Sequence, residues 1–228
     1  MSELRVIPVE GLPEVRAGDD LAALVSAALG ATALEPGDVV VVAQKVVSKA
    51  EGRLAPAGDR GATVLRESAR VLRKMGDMLI SQTPHGFVCA NAGVDASNVE
   101  GDNVVLLPLD PDLSARRIRS RLERLCAVEL GVVVSDTFGR AWRLGQTNVA
   151  IGVAGIEPFA DLRGGTDQQG RLLTATRICT ADEIAGAAEL VMGKARGICA
   201  AIVRGASVTF GRGTAAEIVR PAREDLFR

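Results

Sequence analysis

The sequence predicts a single mixed α/β domain over residues 1–228, an α+β arrangement of mixed sheets with flanking helices. Residues 39–42 (VVVV) and 132–134 (VVV) are continuous β-branched runs, the pattern of strands covered on both faces. Residues 21–29 and 181–192 place apolar side chains at helical spacing. Strands alternating with helices, together with two hairpin-like stretches, point to α/β layers, and no internal repeat or domain linker divides the chain. At 228 residues the chain is long enough for a sizeable core.

Residues 4–9 alternate enough to form an opening strand, which ends at the turn residues Glu10, Gly11, Leu12 and Pro13. Gly18, Asp19 and Asp20 offer an N-cap for the helix over 21–29. Residues 35–38 (EPGD) turn the chain into the strand at 39–42. Lys45, Ser48 and Lys49 then follow directly from a buried strand. Basic groups at a strand's carboxyl end are placed to meet an anion, and the competing reading is the start of a solvated helix. Residues 54–62 are rich in Pro, Gly and Ala and read as a loop, and residues 64–75 as a basic amphipathic helix. Residues 78–80 and 87–90 can pair as a hairpin across the turn Thr83-Pro84-His85-Gly86.

Residues 91–98 (NAGVDASN) form a small-polar loop with one carboxylate, Asp95. Asp110, Pro111 and Asp112 cap a helix over 113–126, whose five arginines fall on several faces and favour a solvated surface over a nucleic-acid groove. The stretch 131–155 (GVVVSDTFGRAWRLGQTNVAIGVAG) organises the rest. Its buried strand ends in Ser135, Asp136 and Thr137, and a polar, arginine-bearing loop is expected before the apolar run resumes at Val149. One carboxylate among neutral oxygens and guanidinium groups suits a hard cation with its anions; an Asp capping a turn beside two solvated arginines fits the spacing equally. Asp95 and Asp136 together could place two hard ligands on one divalent ion. Residues 161–171 are a Gly- and charge-rich excursion, 172–179 are strand-like, and a helix over 181–192 leads through Gly193 to a strand at 199–203. Gly211, Gly213 and Ala216 have G-x-G-x-x-A spacing, but too little chain follows for a dinucleotide-binding unit, and there is no P-loop motif.

Composition removes several classes. Twenty-seven basic against 28 acidic side chains give a net charge of −1, so no overall field draws the chain to nucleic acid or a membrane. The single histidine, His85, sits in a turn and leaves no multi-histidine zinc site; a structural or surface role is expected. Cys89, Cys126, Cys179 and Cys199 lack CxxC spacing and read as small buried hydrophobes in a reducing compartment. With no apolar leader after Met1 and no run long enough to cross a bilayer, a cytoplasmic location is expected.

Read together, PVEGLP, VVSKAEGR, NAGVDASNV, LLPLDPD, SDTFGRAWRLGQTNVAIGVAG, ADEIAGAAELVMGK and AIVRG resemble the coenzyme F420-0:L-glutamate ligase family, also found as the amino-terminal half of an actinobacterial two-domain version. The resemblance covers nearly the whole chain. It implies the family's fold, and GTP and a divalent metal (Mg2+ or Mn2+, with K+ a further candidate) joining L-glutamate to the lactyl carboxylate of coenzyme F420-0, then adding γ-linked glutamate. The resemblance further implies that Asp95, Asp136 and Thr137 hold metal, with Asp95, Asp136 and Lys49 in catalysis. Glu10, Gly11, Leu12, Pro13, Gln44, Lys49, Asn98, Met192, Gly193 and Lys194 take the guanine nucleotide, and the family assembly is a homodimer. Archaeal relatives carry a glutamate serving a second metal where Lys194 stands, and the region between Arg53 and Val64 is short for the family. Two alternatives stay open: a nucleotide-dependent carboxylate-amine ligase acting on another acid, and a non-catalytic nucleotide-binding or dimerisation module.

Overall fold

The computed structural model describes residues 3–97 and 101–226. In chain order the elements are β1 (Arg5–Val9), α1 (Leu21–Ala28), β2 (Val39–Ala43), α2 (Gln44–Ala50), β3 (Leu54–Pro56), α3 (Arg60–Arg66), β4 (Arg70–Met75), β5 (Met78–Gln82), β6 (Val88–Ala90) and β7 (Asn103–Val105). They continue with α4 (Pro111–Cys126), β8 (Gly131–Arg140), β9 (Arg143–Ala154), β10 (Ala160–Asp161), β11 (Arg177–Ile178), α5 (Thr180–Met192) and β12 (Ala200–Arg204). The main sheet has the order β1-β12-β2-β8-β9. Only its β2–β8 pair is parallel, and β2 ends at Ala43 opposite Ser135, beyond which β8 runs on to Arg140.

The all-valine runs follow from a sheet covered on both faces. Val40, Val42, Val132 and Val134 pack with Leu21 and Val25 of α1 and with Ile118 and Leu122 of α4. Their neighbours Val39, Val41 and Val133 point the other way, against Ile184, Ala185 and Ala188 of α5. Capping fixes where the helices begin. Asp20 accepts from the Ala23 amide, and Asp110 from the Leu113 amide with Pro111 just inside α4. Asp112 ties the start of α4 across the molecule by accepting from the Val153 and Ala215 amides, each at 2.8 Å.

A smaller lobe spans β3 to β7. Its strands form a β4-β5-β6 sheet and a β3-β7 pair, over a core of Val64, Val94, Val104 and Leu106. Four sequence expectations are corrected here. The helix expected over 64–75 stops at Arg66, and Arg70–Met75 is a strand paired with Met78–Gln82. The Ser68 hydroxyl turns back to the Val64 carbonyl at 2.6 Å, the Ala69 amide reaches the Gln82 carbonyl, and Gly76 at φ +57 opens a two-residue hairpin loop with Asp77. The loop expected over 54–62 holds β3, a 3-10 turn (Ala57–Asp59) and the start of α3. The polar loop expected after Val134 continues as a β8–β9 hairpin, with Thr137 opposite Asn148. The strand-like stretch 172–179 is reduced to Arg177–Ile178.

The 78–80 and 87–90 pairing is observed, with Ile80 opposite Ala90. His85 is structural, its Nε2 within 2.9 Å of the Pro108 carbonyl and its ring stacked on Phe87. The four cysteines are free thiols; Cys89 is buried and the other three half-buried. Gly211 and Gly213 pack against the backbone and side chains of Glu157 and Pro158, where a Cβ would fall 1.8 Å from Glu157 Oε1 or 2.3 Å from Pro158 Cδ. Close packing, not a dinucleotide, accounts for that glycine spacing.

Candidate active site

A cleft of about 400 Å³ opens where the parallel pair ends. Ala43, Gln44, Lys45 and Lys49 reach it from the β2–α2 junction, and Ser135, Asp136 and Thr137 from β8. Glu189, Met192, Gly193 and Lys194 reach it from the end of α5, and Asp95 from the smaller lobe. The convergence has local causes. The Ala43 amide donates to the Cys199 carbonyl at 2.9 Å, which draws the chain between α5 and β12 to the same sheet end. Asp95 exchanges two backbone hydrogen bonds with Val105, which fixes the lobe's carboxylate at the rim.

The two carboxylates sit in contrasting fields. Burial pushes the Asp136 carboxyl up to about 6, with the negative charge of Asp95 adding to it against the Thr137 amide and the charges of Lys45 and Lys194. Burial also acts to raise Asp95, but the hydrogen bond from Lys45 and the Ser97 amide outweigh it and hold Asp95 below the ordinary carboxylate range. Lys45 Nζ lies 2.8 Å from Asp95 Oδ2 and also donates to the Ser97 hydroxyl. Lys194 Nζ lies 3.9 Å from the same Asp95 oxygen. Lys49, nearly buried, is ion-paired with Glu14.

Neutral oxygens complete the lining. Thr137 Oγ1 donates to Asn148 Oδ1 at 2.7 Å, and Asn148 Nδ2 donates to Glu189 Oε2 at 3.0 Å. The threonine proton is thereby committed, leaving its lone pairs available. Ser135 Oγ is buried without a hydrogen-bond partner in the structure. Asp95, Asp136, Thr137 and Ser135 thus bring only oxygen donors to the cleft lining, a set that fits a hard divalent cation better than a soft one. Among the described residues no three His, Cys, Asp or Glu side chains cluster as a metal cage, so the carboxylate pair stands with neutral oxygens and ammonium groups.

The structure thus brings together Gln44, Lys49, Asp95, Asp136, Thr137, Met192, Gly193 and Lys194. Gln44 is also a structural pin, its amide donating to Ser48 Oγ and the Leu106 carbonyl. Glu10, Gly11, Leu12 and Pro13 are not in the lining; they form the segment leading to Glu14, which is. Asn98 lies outside the described residues. Sequence reasoning missed Glu14 and Glu189 as site residues, read Ser135 and Asn148 only among the neutral oxygens around Asp136, and saw Lys45 only as one of two basic groups. Ser135 and Lys45 carried a signal, since each adjoins a named site residue at a strand end; Glu14 and Glu189 became visible only through pairing across the fold.

The fold and cleft define an enzyme domain, with a substrate-sized pocket where the parallel β2–β8 pairing ends and opposed charges within it. The family model described as F420-0:Gamma-glutamyl ligase matches residues 11–62 and 59–205. The chain is 41% identical to the coenzyme F420:L-glutamate ligase of Methanothermobacter thermautotrophicus, covering 99% of both chains. It is likewise 41% identical to that of Archaeoglobus fulgidus over 99% of this chain and 96% of the relative, and 37% identical to that of Methanocaldococcus jannaschii over 100% and 99%. This chain belongs to the F420-0:gamma-glutamyl ligase family. The two segments of the family match meet at residues 59–62, between Arg53 and Val64.

Proposed function

We propose that this enzyme is a GTP-dependent ligase that joins L-glutamate to coenzyme F420-0 and then adds further glutamate by γ-linkage, in the cytoplasm. The observation that carries the reading is the carboxylate pair Asp95 and Asp136 facing Lys45, Lys49 and Lys194 in one cleft of a chain whose relatives are named for this ligation. A carboxylate is a poor acyl donor until its oxygen becomes a leaving group. Attack of the substrate carboxylate oxygen on the γ-phosphorus breaks the bond to GDP and gives an acyl phosphate. The glutamate amine then attacks the acyl carbon, phosphate departs, and the amine proton passes to solvent. Such transfer needs charge neutralisation more than a covalent catalyst.

Asp95, Asp136 and Thr137 would hold Mg2+ or Mn2+, with Ser135 completing an oxygen set, and the ion when bound supplies Lewis-acid neutralisation of the phosphates. Lys49 and Lys194 meet the phosphates, the Met192-Gly193 turn lies against the nucleotide, and Gln44 holds α2 in place beneath it. Glu10 to Pro13 and Asn98 complete the nucleotide contacts in this reading, and K+ is a further candidate ion. We also assign a homodimer. It is supported by the β8–β9 tip, where Trp142 is 87% and Leu144 98% exposed on a two-stranded ribbon of the kind that is marginal alone in water.

The test is incubation of purified protein with F420-0, GTP, glutamate and manganese, read by mass. A product heavier than F420-0 by glutamate residues, with GDP and phosphate, is expected. Unchanged F420-0 under saturating manganese and GTP would overturn the reading.

A further inference from the structure

We propose that Lys45 is an internal counter-ion that occupies the carboxylate side of the cleft in the metal-free protein and couples cation binding to nucleotide binding. The inference rests on the metal and nucleotide reading given above. Lys45 leaves the amino-terminal turn of α2 and reaches across to the smaller lobe, where Nζ sits 2.8 Å from Asp95 Oδ2 and is also bound to the Ser97 hydroxyl. Asp95 is oriented for that contact from its other oxygen, Oδ1, which accepts the Ser97 amide at 2.8 Å. The side chain of Lys45 is 19% exposed, and its charge also acts on Asp136 across the cleft. Asp136 and Ser135 line the same cleft as Asp95 and Lys45, and Lys45 Nζ is bound to Asp95 and Ser97 alone among them.

The charges dictate the coupling. A divalent cation entering alone must take Asp95 from Lys45, which leaves an ammonium without its carboxylate in a half-buried cleft. A nucleotide polyphosphate entering alone meets lysines already committed to carboxylates. When both arrive, the cation satisfies Asp95 and Asp136, and the released Lys45 finds phosphate oxygens instead. Each ligand therefore removes the obstacle to the other, and linkage requires the same factor in both directions. Lys45 acts here as a positioning residue on the cation site, exchanging one anionic partner for another as a compact point charge.

The experiment measures Mn2+ binding by electron paramagnetic resonance, and GTP binding by calorimetry, each with and without the other ligand. Wild type, Lys45→Met and Ser97→Ala are compared, with circular dichroism confirming the fold. Wild type should bind Mn2+ weakly alone and about tenfold or more tightly with GTP, within the usual range of coupling. Lys45→Met should tighten Mn2+ binding in the absence of GTP and shrink the coupling factor. Ser97→Ala, which removes only one of the contacts holding the ammonium, should move both in the same direction by less. Lys45→Met with unchanged or weaker Mn2+ binding alone would overturn the proposal, even if GTP binding falls, because Lys45 would then serve the nucleotide only. Wild-type protein that takes up no Mn2+ with or without GTP would instead remove the metal reading on which the proposal rests.

Discussion

Asp136 and Asp95 face one cleft from two unequal parts of the molecule. Asp136 sits within β8, one residue past Ser135, where the pairing with β2 stops, and opposite Val149 of β9, in a sheet whose two faces are closed by α1, α4 and α5. Asp95 stands in the smaller lobe, over a core of four buried side chains, and is held by Lys45 and Ser97. The sheet can carry a carboxylate in an unfavourable environment because its backbone has no other place to go. The lobe carries one that is already neutralised. In the proposed reading, a cation site divided in this way would keep one ligand fixed and let the other exchange partners.

The largest expected effect breaks the fixed half. Asp136→Asn should lower ligation about 100-fold or more, because in the proposed reading an amide oxygen lacks the charge that would hold the cation beside the phosphates. Turnover equal to wild type at saturating metal would remove Asp136 from the site.

A matched pair of truncations sharpens the contrast between sheet and lobe. Val133 and Val104 are both fully buried, the first in the main sheet and the second in the lobe. Each change to Ala should cost about 1–3 kcal/mol by lost burial and cavity, the sheet variant at the upper end. Hydrogen exchange should separate them: Val104→Ala should speed exchange around β3 and β7 while β2 and β8 stay protected. Equal acceleration in both regions would show one cooperative unit and erase the distinction.

A smaller effect is expected at Lys194. It lines the cleft 3.9 Å from Asp95 instead of serving only the last carbonyls of α5. Lys194→Ala should weaken GTP binding about twofold to fivefold, the scale of a partly exposed charge contact. Wild-type GTP affinity and turnover across a manganese titration would sink the phosphate contact.

Much of this division was legible in the sequence. The valine runs at 39–42 and 132–134 announce a sheet buried on both faces, and small polar residues after apolar strands mark Asp95 and Asp136. The lobe was harder. Residues 70–75 (RVLRKM) satisfy a helical pattern as well as a strand, and only the Gly76–Asp77 loop and pairing with β5 decide between them. The partnership of Lys45 with Asp95 joins residues 50 positions apart, and that of Asn148 with Glu189 spans 41. No local spacing encodes such pairs, because tertiary packing alone brings them together.

The most direct test of the central claim is a crossing of melting curves at pH 7. The folded, metal-free protein binds the Asp136 proton more tightly than the unfolded chain, whose ordinary value is 3.8 against about 6 when folded. Stability from this group is therefore lost as pH rises from near 4 to near 6, and stays lost at pH 7. Asp136→Asn should then melt higher than wild type without metal, by about 1–3 kcal/mol of stability, since one pKa unit is worth about 1.4 kcal/mol. With Mn2+ and GTP present, wild type should rise above the variant, which gains little. A variant that melts lower than wild type without metal, or one stabilised by Mn2+ and GTP as much as wild type, would contradict a costly carboxylate kept in place for a cation.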